Sequence, residues 1–186
     1  MKTALLKRNA IHAALVGLIC GIEVAVYAAL GPAGLGLVAN PLYWACFIMI
    51  PVVFMQGGQW SALPLHAFNL VFGMLAGGWL CFLFVGLTAA SIGLPLSFGI
   101  FTCLCVLLVM FCAMTFAEGG VKPFLGNCPM AFTGMCTVFA ACGDAVTLEP
   151  YLVALVSLLV GTVCATLMVQ SGTLAAKLAG GQDASA

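Results

Sequence analysis

Six stretches of this sequence are apolar over the length that a helix needs to cross a bilayer, and this feature constrains the fold most. The stretches cover residues 10–30, 41–57, 66–87, 95–117, 125–142 and 150–170. A transmembrane helix takes about 20 apolar residues, and the hydrocarbon layer accepts only structures that satisfy their own backbone hydrogen bonds. The sequence therefore predicts an all-α, polytopic membrane protein with six transmembrane helices. The second and fifth stretches are the shortest and contain glycine or proline, so we expect short or broken helices there.

Charge is scarce along the whole chain. Charged residues make up only 5% of the 186 residues, and five basic side chains balance five acidic ones. A nucleic-acid-binding protein needs a basic surface for the phosphates, and this composition provides none. The sequence also lacks the glycine-rich lysine motif that holds the phosphates of ATP. We therefore expect the lipid bilayer and a small-molecule solute as partners, and neither nucleic acid nor ATP.

The positions of the basic residues indicate how the chain is oriented. They are Lys2, Lys7, Arg8, Lys122 and Lys177. Three precede the first stretch, one lies between the fourth and fifth, and one follows the sixth, so six spans place all five on one side. The positive-inside rule assigns that side to the cytoplasm. Residues 1–9 and 171–186 are then predicted to be cytoplasmic.

The start of the chain, "MKTALLKRNAIHAALVGLICG", has a second interpretation. A basic start followed by an apolar run is also typical of a secretory signal peptide, which would be cleaved near Ala28. We favour an uncleaved first helix, because its removal would leave five spans and place the two ends on opposite faces of the membrane.

Ten cysteines and two histidines raise the question of a disulfide framework, a metal site or a thiol enzyme. Most of the cysteines lie inside apolar stretches, where cysteine behaves as a small hydrophobic residue. Cys103 and Cys105 have no neighbouring histidine or second cysteine pair to complete a zinc site. A nucleophilic Cys136 would need a base, but His12 and His66 both lie near predicted membrane ends. We therefore expect no catalytic residues, no metal and no cofactor.

Two segments in the halves of the chain resemble each other. "VFMQGGQWSAL" begins at Val53 and "VFAACGDAVTL" begins at Val138, 85 positions later, with a valine, a phenylalanine, a glycine and a leucine in common. The match predicts two three-helix repeats, residues 10–87 and 95–170, although apolar, glycine-rich segments also match by chance. Three spans per repeat is an odd number, so the second repeat would be inverted, as in many channels and secondary transporters.

In inverted repeats the solute path lies at the interface of the two halves, where the second and fifth stretches would meet. The candidate path residues are Glu23, Phe54, Gln56, Gly57, Gly58, Thr133, Thr137, Phe139, Gly143 and Asp144. Threonine hydroxyls and backbone carbonyls at helix ends would provide selectivity, and the two phenylalanines would form constrictions. Glu23 is included because a carboxylate inside a span is costly and is often functional.

Each of these candidates also has a structural interpretation. Small residues in the fifth stretch favour close helix packing. Thr133 and Thr137 can return their hydroxyls to the carbonyl four residues back, and Glu23 can reach the membrane interface from the end of its helix. The Gln-Gly-Gly and Gly-Asp sequences are well suited to turns. The residues alone leave both interpretations open.

The same residues carry a resemblance to a known family. The relevant positions are Trp44, Phe47, Gln56-Gly57-Gly58, Pro129, Phe132, Gly134, Cys136, Phe139, Ala140, Gly143 and Asp144. This pattern resembles the domain-of-unknown-function 1097 family of bacterial inner-membrane proteins, and the resemblance covers nearly the whole chain. It departs from that pattern at Met55, where proline is expected before Gln-Gly-Gly. The resemblance implies a multi-pass protein of the bacterial inner membrane and names no substrate.

Together these features predict a small channel or facilitator, that is, a permease for a compact and mostly neutral solute. Strongly coupled ion transport would need paired ionisable groups inside the spans, and the sequence offers few. The alternative is a membrane assembly or interaction subunit that transports nothing and uses its small-residue faces for helix packing. A bundle of this size is compatible with a homo-oligomer.

Overall fold

The computed structural model describes residues 2–30, 42–118, 125–142 and 147–180. This part of the chain is helical and contains no strand, which confirms the all-α prediction. The helices are α1 (Lys2–Leu30), α2 (Tyr43–Met55), α3 (Leu63–Phe72), α4 (Leu80–Ile92), α5 (Leu94–Glu118), α6 (Cys128–Ala141) and α7 (Leu148–Leu178). A 3-10 turn (Trp60–Ala62) leads into α3, and a π-helical segment (Gly73–Trp79) joins α3 to α4.

Four helical stretches are long and apolar enough to cross a membrane. They are Thr3–Val26, Trp60–Ile92, Leu94–Thr115 and Leu148–Leu178. By contrast, α2 and α6 have 13 and 14 residues, so at 1.5 Å per residue each is about 20 Å long. A hydrocarbon layer is about 30 Å thick. The four long helices are compatible with a membrane protein, and the count of six spans stays a prediction.

The end of α2 shows how the chain turns where the expected proline is missing. Gly57 and Gly58 have positive φ angles of 77° and 50°, which glycine adopts without steric cost. The N–H of Gly58 donates to the carbonyl of Val53 at 3.1 Å, a bond typical of glycine-terminated helices. The two glycines therefore end the helix directly after Met55.

The helix α2 packs along α7 through its buried face, Ala45, Met49 and Val53, and runs parallel to α7. Near its start, the backbone N–H of Leu42 donates to Ser157 Oγ at 2.8 Å. Just beyond its end, the carbonyl of Gly58 accepts from Gln170 Nε2 at 2.7 Å. The earlier residue of α7 contacts the start of α2 and the later residue contacts its end, so the two helices run in the same direction.

The helix α6 packs closely against α3 and the π segment, through glycine residues. A Cβ atom at Gly73 or at Gly134 would collide with the backbone carbonyl of Ala131 or of Leu70, respectively. The backbones are therefore close enough that only glycine fits, as at the tightest helix crossings in membranes. A Cβ at Gly78 would likewise meet Val138. These contacts continue along α6, which therefore runs parallel to α3 and the π segment; we call α3, the π segment and α4 together the α3–π–α4 rod.

The remaining helices are α1, α4 and α5. The ring of His12 in α1 contacts the carbonyl of Met168 in α7 at 3.0 Å. Glu23, which comes later in α1, lines a groove together with Cys164, which comes earlier in α7, so α1 is antiparallel to α7. The helices α4 and α5 form an antiparallel hairpin around Gly93, whose φ is 85°. The buried core lies between α2, α6, α7 and the π segment.

Candidate functional site

Two carboxamide side chains pair where α2 ends and α6 begins. Gln56 is the residue after α2, and Asn127 is the residue before α6. Gln56 Nε2 donates to Asn127 Oδ1 at 3.1 Å, and Asn127 Nδ2 donates to Gln56 Oε1 at 2.8 Å. Each side chain therefore acts as donor and acceptor toward the other, in a closed ring of two hydrogen bonds.

Further hydrogen bonds hold Asn127 in place. Its Oδ1 also accepts from the backbone N–H of Met130 at 3.2 Å, which makes it the N-cap of α6. Its own backbone N–H donates to Asn69 Oδ1 at 3.1 Å. Asn69 is fully buried and donates through Nδ2 to the carbonyl of Leu65 at 2.8 Å. Asn127 is thus oriented by both α3 and α6.

The turn after Gln56 rests on α7. Gln170 supports the carbonyl of Gly58, and a Cβ at Gly58 would collide with Val169. Gln59, next along the chain, is exposed and its Nε2 donates to the carbonyl of Gly57 at 3.4 Å. We call Gln56, Asn69, Asn127 and Gln170 the carboxamide cluster. All four side chains are neutral, so the cluster offers donors and acceptors without a formal charge.

The two predicted constriction residues lie in different surroundings. Phe54 is 37% exposed and stacks on His12 with ring centroids 6.2 Å apart. Phe139 is half-buried and packs on Phe82 of α4 at 5.1 Å. Phe54 therefore belongs to the α1 side of the bundle and Phe139 to the α4 side.

The predicted threonines of α6 use their hydroxyls within their own helix. Thr133 Oγ1 donates to the carbonyl of Pro129, and Thr137 Oγ1 donates to that of Thr133, both at 2.8 Å. Both side chains are buried. This is the backbone-directed geometry that the sequence allowed as the structural interpretation, and it leaves the hydroxyls directed along the helix.

Glu23 belongs to another region of the molecule. It is 7% exposed and lines an apolar groove of about 320 Å³ between α1 and α7. The walls of the groove include Ile19, Val26, Val160 and Leu167. The Cys164 thiol lies close enough to hydrogen bond with the Glu23 carboxyl. Of the other predicted path residues, Gly143 and Asp144 lie outside the described residues.

Sequence reasoning missed the other three members of the carboxamide cluster, Asn69, Asn127 and Gln170. Asn127 precedes Cys128 and Pro129, and asparagine before a proline-containing first turn is a helix-start signal. Asn69 is a polar residue inside an apolar stretch, which is itself a sign of an internal contact. Gln170 gave the same kind of signal at the end of the sixth stretch. Both kinds of signal identify candidate residues, whereas neither identifies their partners.

The two short helices are anchored by matching hydrogen bonds. Before α2, the N–H of Leu42 donates to Ser157 Oγ, which donates to the carbonyl of Val153 at 2.7 Å. Before α6, the N–H of Asn127 donates to Asn69, which donates to Leu65 in the same way.

The residues of the two anchors are separated by similar, though not equal, numbers of positions in the chain. Leu42 and Asn127 are 85 positions apart. Asn69 and Ser157 are 88 positions apart, and the carbonyls that they bind, of Leu65 and Val153, have the same separation. Asn69 and Ser157 are both fully buried.

No family model, curated protein or solved structure matches this chain. The resemblance to the domain-of-unknown-function 1097 family therefore stays a prediction that rests on the residues named above.

Proposed function

We propose that this protein is a channel or facilitator of the bacterial inner membrane for a small, mostly neutral solute, with the path at the interface of two inverted halves. The observation that carries the proposal is the carboxamide cluster at the junction of α2 and α6. A neutral, partly buried hydrogen-bonding site where two short helices meet, in an otherwise apolar bundle, suits a neutral polar solute.

The matching anchors support the inverted repeat. In this arrangement α1 corresponds to α5, α2 to α6, and the α3–π–α4 rod to α7. Each short helix is then anchored on the third helix of the other half, through Ser157 in one case and Asn69 in the other. Each first helix packs on a third helix as well, α1 on α7 and α5 on α4. Such exchange of contacts is expected around a pseudo-twofold axis between two inverted repeats.

The directions of the helices support six alternating spans. Because α1 is antiparallel to α7, Lys7 and Arg8 lie at the same end of the bundle as Lys177. A basic end of this kind is cytoplasmic under the positive-inside rule. The helices α2 and α6 are short for full spans, so the adjoining backbone would complete the crossing. Backbone of that kind is tolerated where protein or water surrounds it.

The proposal is tested by stopped-flow light scattering on proteoliposomes, with urea, short amides, glycerol, ammonia and small weak acids offered in turn. The native protein is compared with Gln56→Trp, which places a large side chain at the junction. Gln59→Trp is the matched control, because Gln59 is exposed on the same turn. We expect uptake of at least one solute above the rate of empty liposomes, lowered by Gln56→Trp and kept in the control. Uptake equal to that of empty liposomes for every solute would refute the proposal.

The second candidate is a membrane assembly subunit, and the packing of α6 favours it. The glycine contacts at Gly73 and Gly134 bring backbones together, and the threonine hydroxyls bind their own helix. Small-residue faces used in this way provide packing and no path. A subunit of this kind would give no solute uptake in the same experiment. It would instead remain bound to a partner protein through purification.

A further inference from the structure

The hydrogen-bonding pattern of the Gln56–Asn127 pair indicates which chemical class of solute would fit this site. A primary amide presents an N–H and a C=O side by side, and two such groups close a ring of two hydrogen bonds. Gln56 and Asn127 form this ring, with bonds of 3.1 Å and 2.8 Å. Each carboxamide could therefore form the same two hydrogen bonds, one donated and one accepted, with a third molecule that carries an amide group.

The two members of the pair differ in how firmly they are held. Asn127 has two further constraints, since it caps α6 through Met130 and its backbone N–H donates to the buried Asn69. Within the described residues, the Gln56 side chain makes its hydrogen bonds to Asn127, whereas Asn127 Oδ1 also holds the first turn of α6. Gln56 can therefore swing aside more easily, while the donor and acceptor of Asn127 stay in place.

We propose that the Gln56–Asn127 pair is the recognition site for a small amide solute, namely urea or a short primary amide, which replaces Gln56 on Asn127 and restores both hydrogen bonds. This inference rests on the proposed transport function. Opening the pair leaves one donor and one acceptor on each residue without a partner, which is costly for polar groups that are partly removed from water. A solute with the same pair of groups removes that cost on Asn127.

Other solutes fit this site less well. Glycerol hydroxyls do not offer a donor and an acceptor on neighbouring atoms in the amide geometry, and ammonia offers only one nitrogen. A secondary amide is trans, so its N–H and C=O point in opposite directions and only one of the two bonds can form. A site built around a hydrogen-bonding pattern discriminates against analogues that lack the pattern.

The test uses two isomers of equal composition, propionamide and N-methylacetamide. Uptake into proteoliposomes with the native protein is measured for both, and for urea, acetamide and glycerol, after subtraction of the empty-liposome rate. We expect propionamide to enter about tenfold faster than N-methylacetamide, with urea and acetamide faster than glycerol. This comparison needs no variant, so it does not depend on the folding of a mutant.

A variant then assigns the preference to the pair. Asn127→Ser keeps an oxygen that can cap α6 but removes the carboxamide, and Gln59→Ser removes an exposed carboxamide from the turn that follows α2. We expect Asn127→Ser to lower amide uptake and to bring the ratio of the two isomer rates close to one, because the amide no longer has a carboxamide to pair with, while Gln59→Ser keeps both.

The outcomes separate the two proposals. Equal entry of the isomers, or uptake of glycerol or ammonia without uptake of amides, would overturn the amide site and leave the channel proposal intact. An isomer preference that survives in folded Asn127→Ser would also overturn the assignment to this pair. If no solute enters faster than in empty liposomes, both proposals fail together.

Discussion

Asn127 shows how much a single neutral side chain does in this bundle. One oxygen, Oδ1, accepts from both Gln56 and Met130, so its two lone pairs are used. The first bond closes the carboxamide ring, and the second caps the first turn of α6. The pairing with Gln56 and the start of α6 therefore depend on the same atom, and a suitable pair of substitutions can separate the two roles.

At this residue we predict that Asn127→Ala lowers the free energy of unfolding by about 1 kcal/mol or more, because the α6 cap is lost. Asn127→Ser keeps a capping oxygen and loses only the pairing with Gln56, so it should be the more stable of the two. Unfolding in detergent, followed by circular dichroism, measures the difference. Equal stability of the two variants would show that the cap contributes nothing.

At the scale of the helices, glycine decides how α6 docks. Gly73 on the π segment and Gly134 on α6 each face a backbone carbonyl of the opposing element. Because van der Waals contact is a main driving force for helix association in lipid, this approach contributes more to the bundle than the small side-chain area suggests. The backbone of a helix cannot move aside as a flexible side chain can.

We therefore predict that Gly73→Ala and Gly134→Ala each lower the free energy of unfolding by about 1–3 kcal/mol, the usual cost of overpacking. Gly86→Ala is the matched control, since Gly86 is exposed in α4 and an added Cβ meets nothing within 4 Å. That control should be neutral or more stable by up to about 1 kcal/mol, because alanine favours helix. The free energies of unfolding are measured in the same assay. Equal values for the two variants and the control would contradict the close packing of α6.

At the scale of the whole molecule, the contacts fix the relative directions of the helices. The helices α2 and α7 are parallel, α6 and the α3–π–α4 rod are parallel, and α1 is antiparallel to α7. These directions are compatible with a chain that reverses at each connection. The rod Trp60–Ile92 is the decisive element, because it is 33 residues long and its two ends must lie on opposite faces if it crosses the membrane.

For this rod we predict that a reporter fused after Gln59 is cytoplasmic and one fused after Gly93 is external, in line with the positive-inside rule. Green fluorescent protein should fluoresce only in the first fusion, and alkaline phosphatase should be active only in the second. A fusion after Leu178 is the cytoplasmic control. If both reporters were in one compartment, the rod would not cross; if the two were exchanged, the orientation would be wrong.

Most of the secondary structure follows from the sequence alone. Hydropathy is a local property of each stretch, so the apolar runs, the short second and fifth helices and the turn at Gly57 and Gly58 could all be predicted. The amide and hydroxyl groups were harder to interpret. For Thr133 and Thr137 the sequence leaves a solute path and a backbone hydrogen bond both open; their hydroxyls bind the backbone of α6, and only the folded helix shows which acceptor lies within reach.

The sequence by itself therefore determined that this protein is a bundle of apolar helices with breaks at defined glycines and prolines. Only the tertiary structure decided that Gln56 pairs with Asn127, 71 positions away, and that Glu23 lies in a separate groove. The physical reason is the range of the interactions. Helix formation depends on neighbours three or four residues apart, whereas a hydrogen bond between two helix ends depends on how every intervening helix packs.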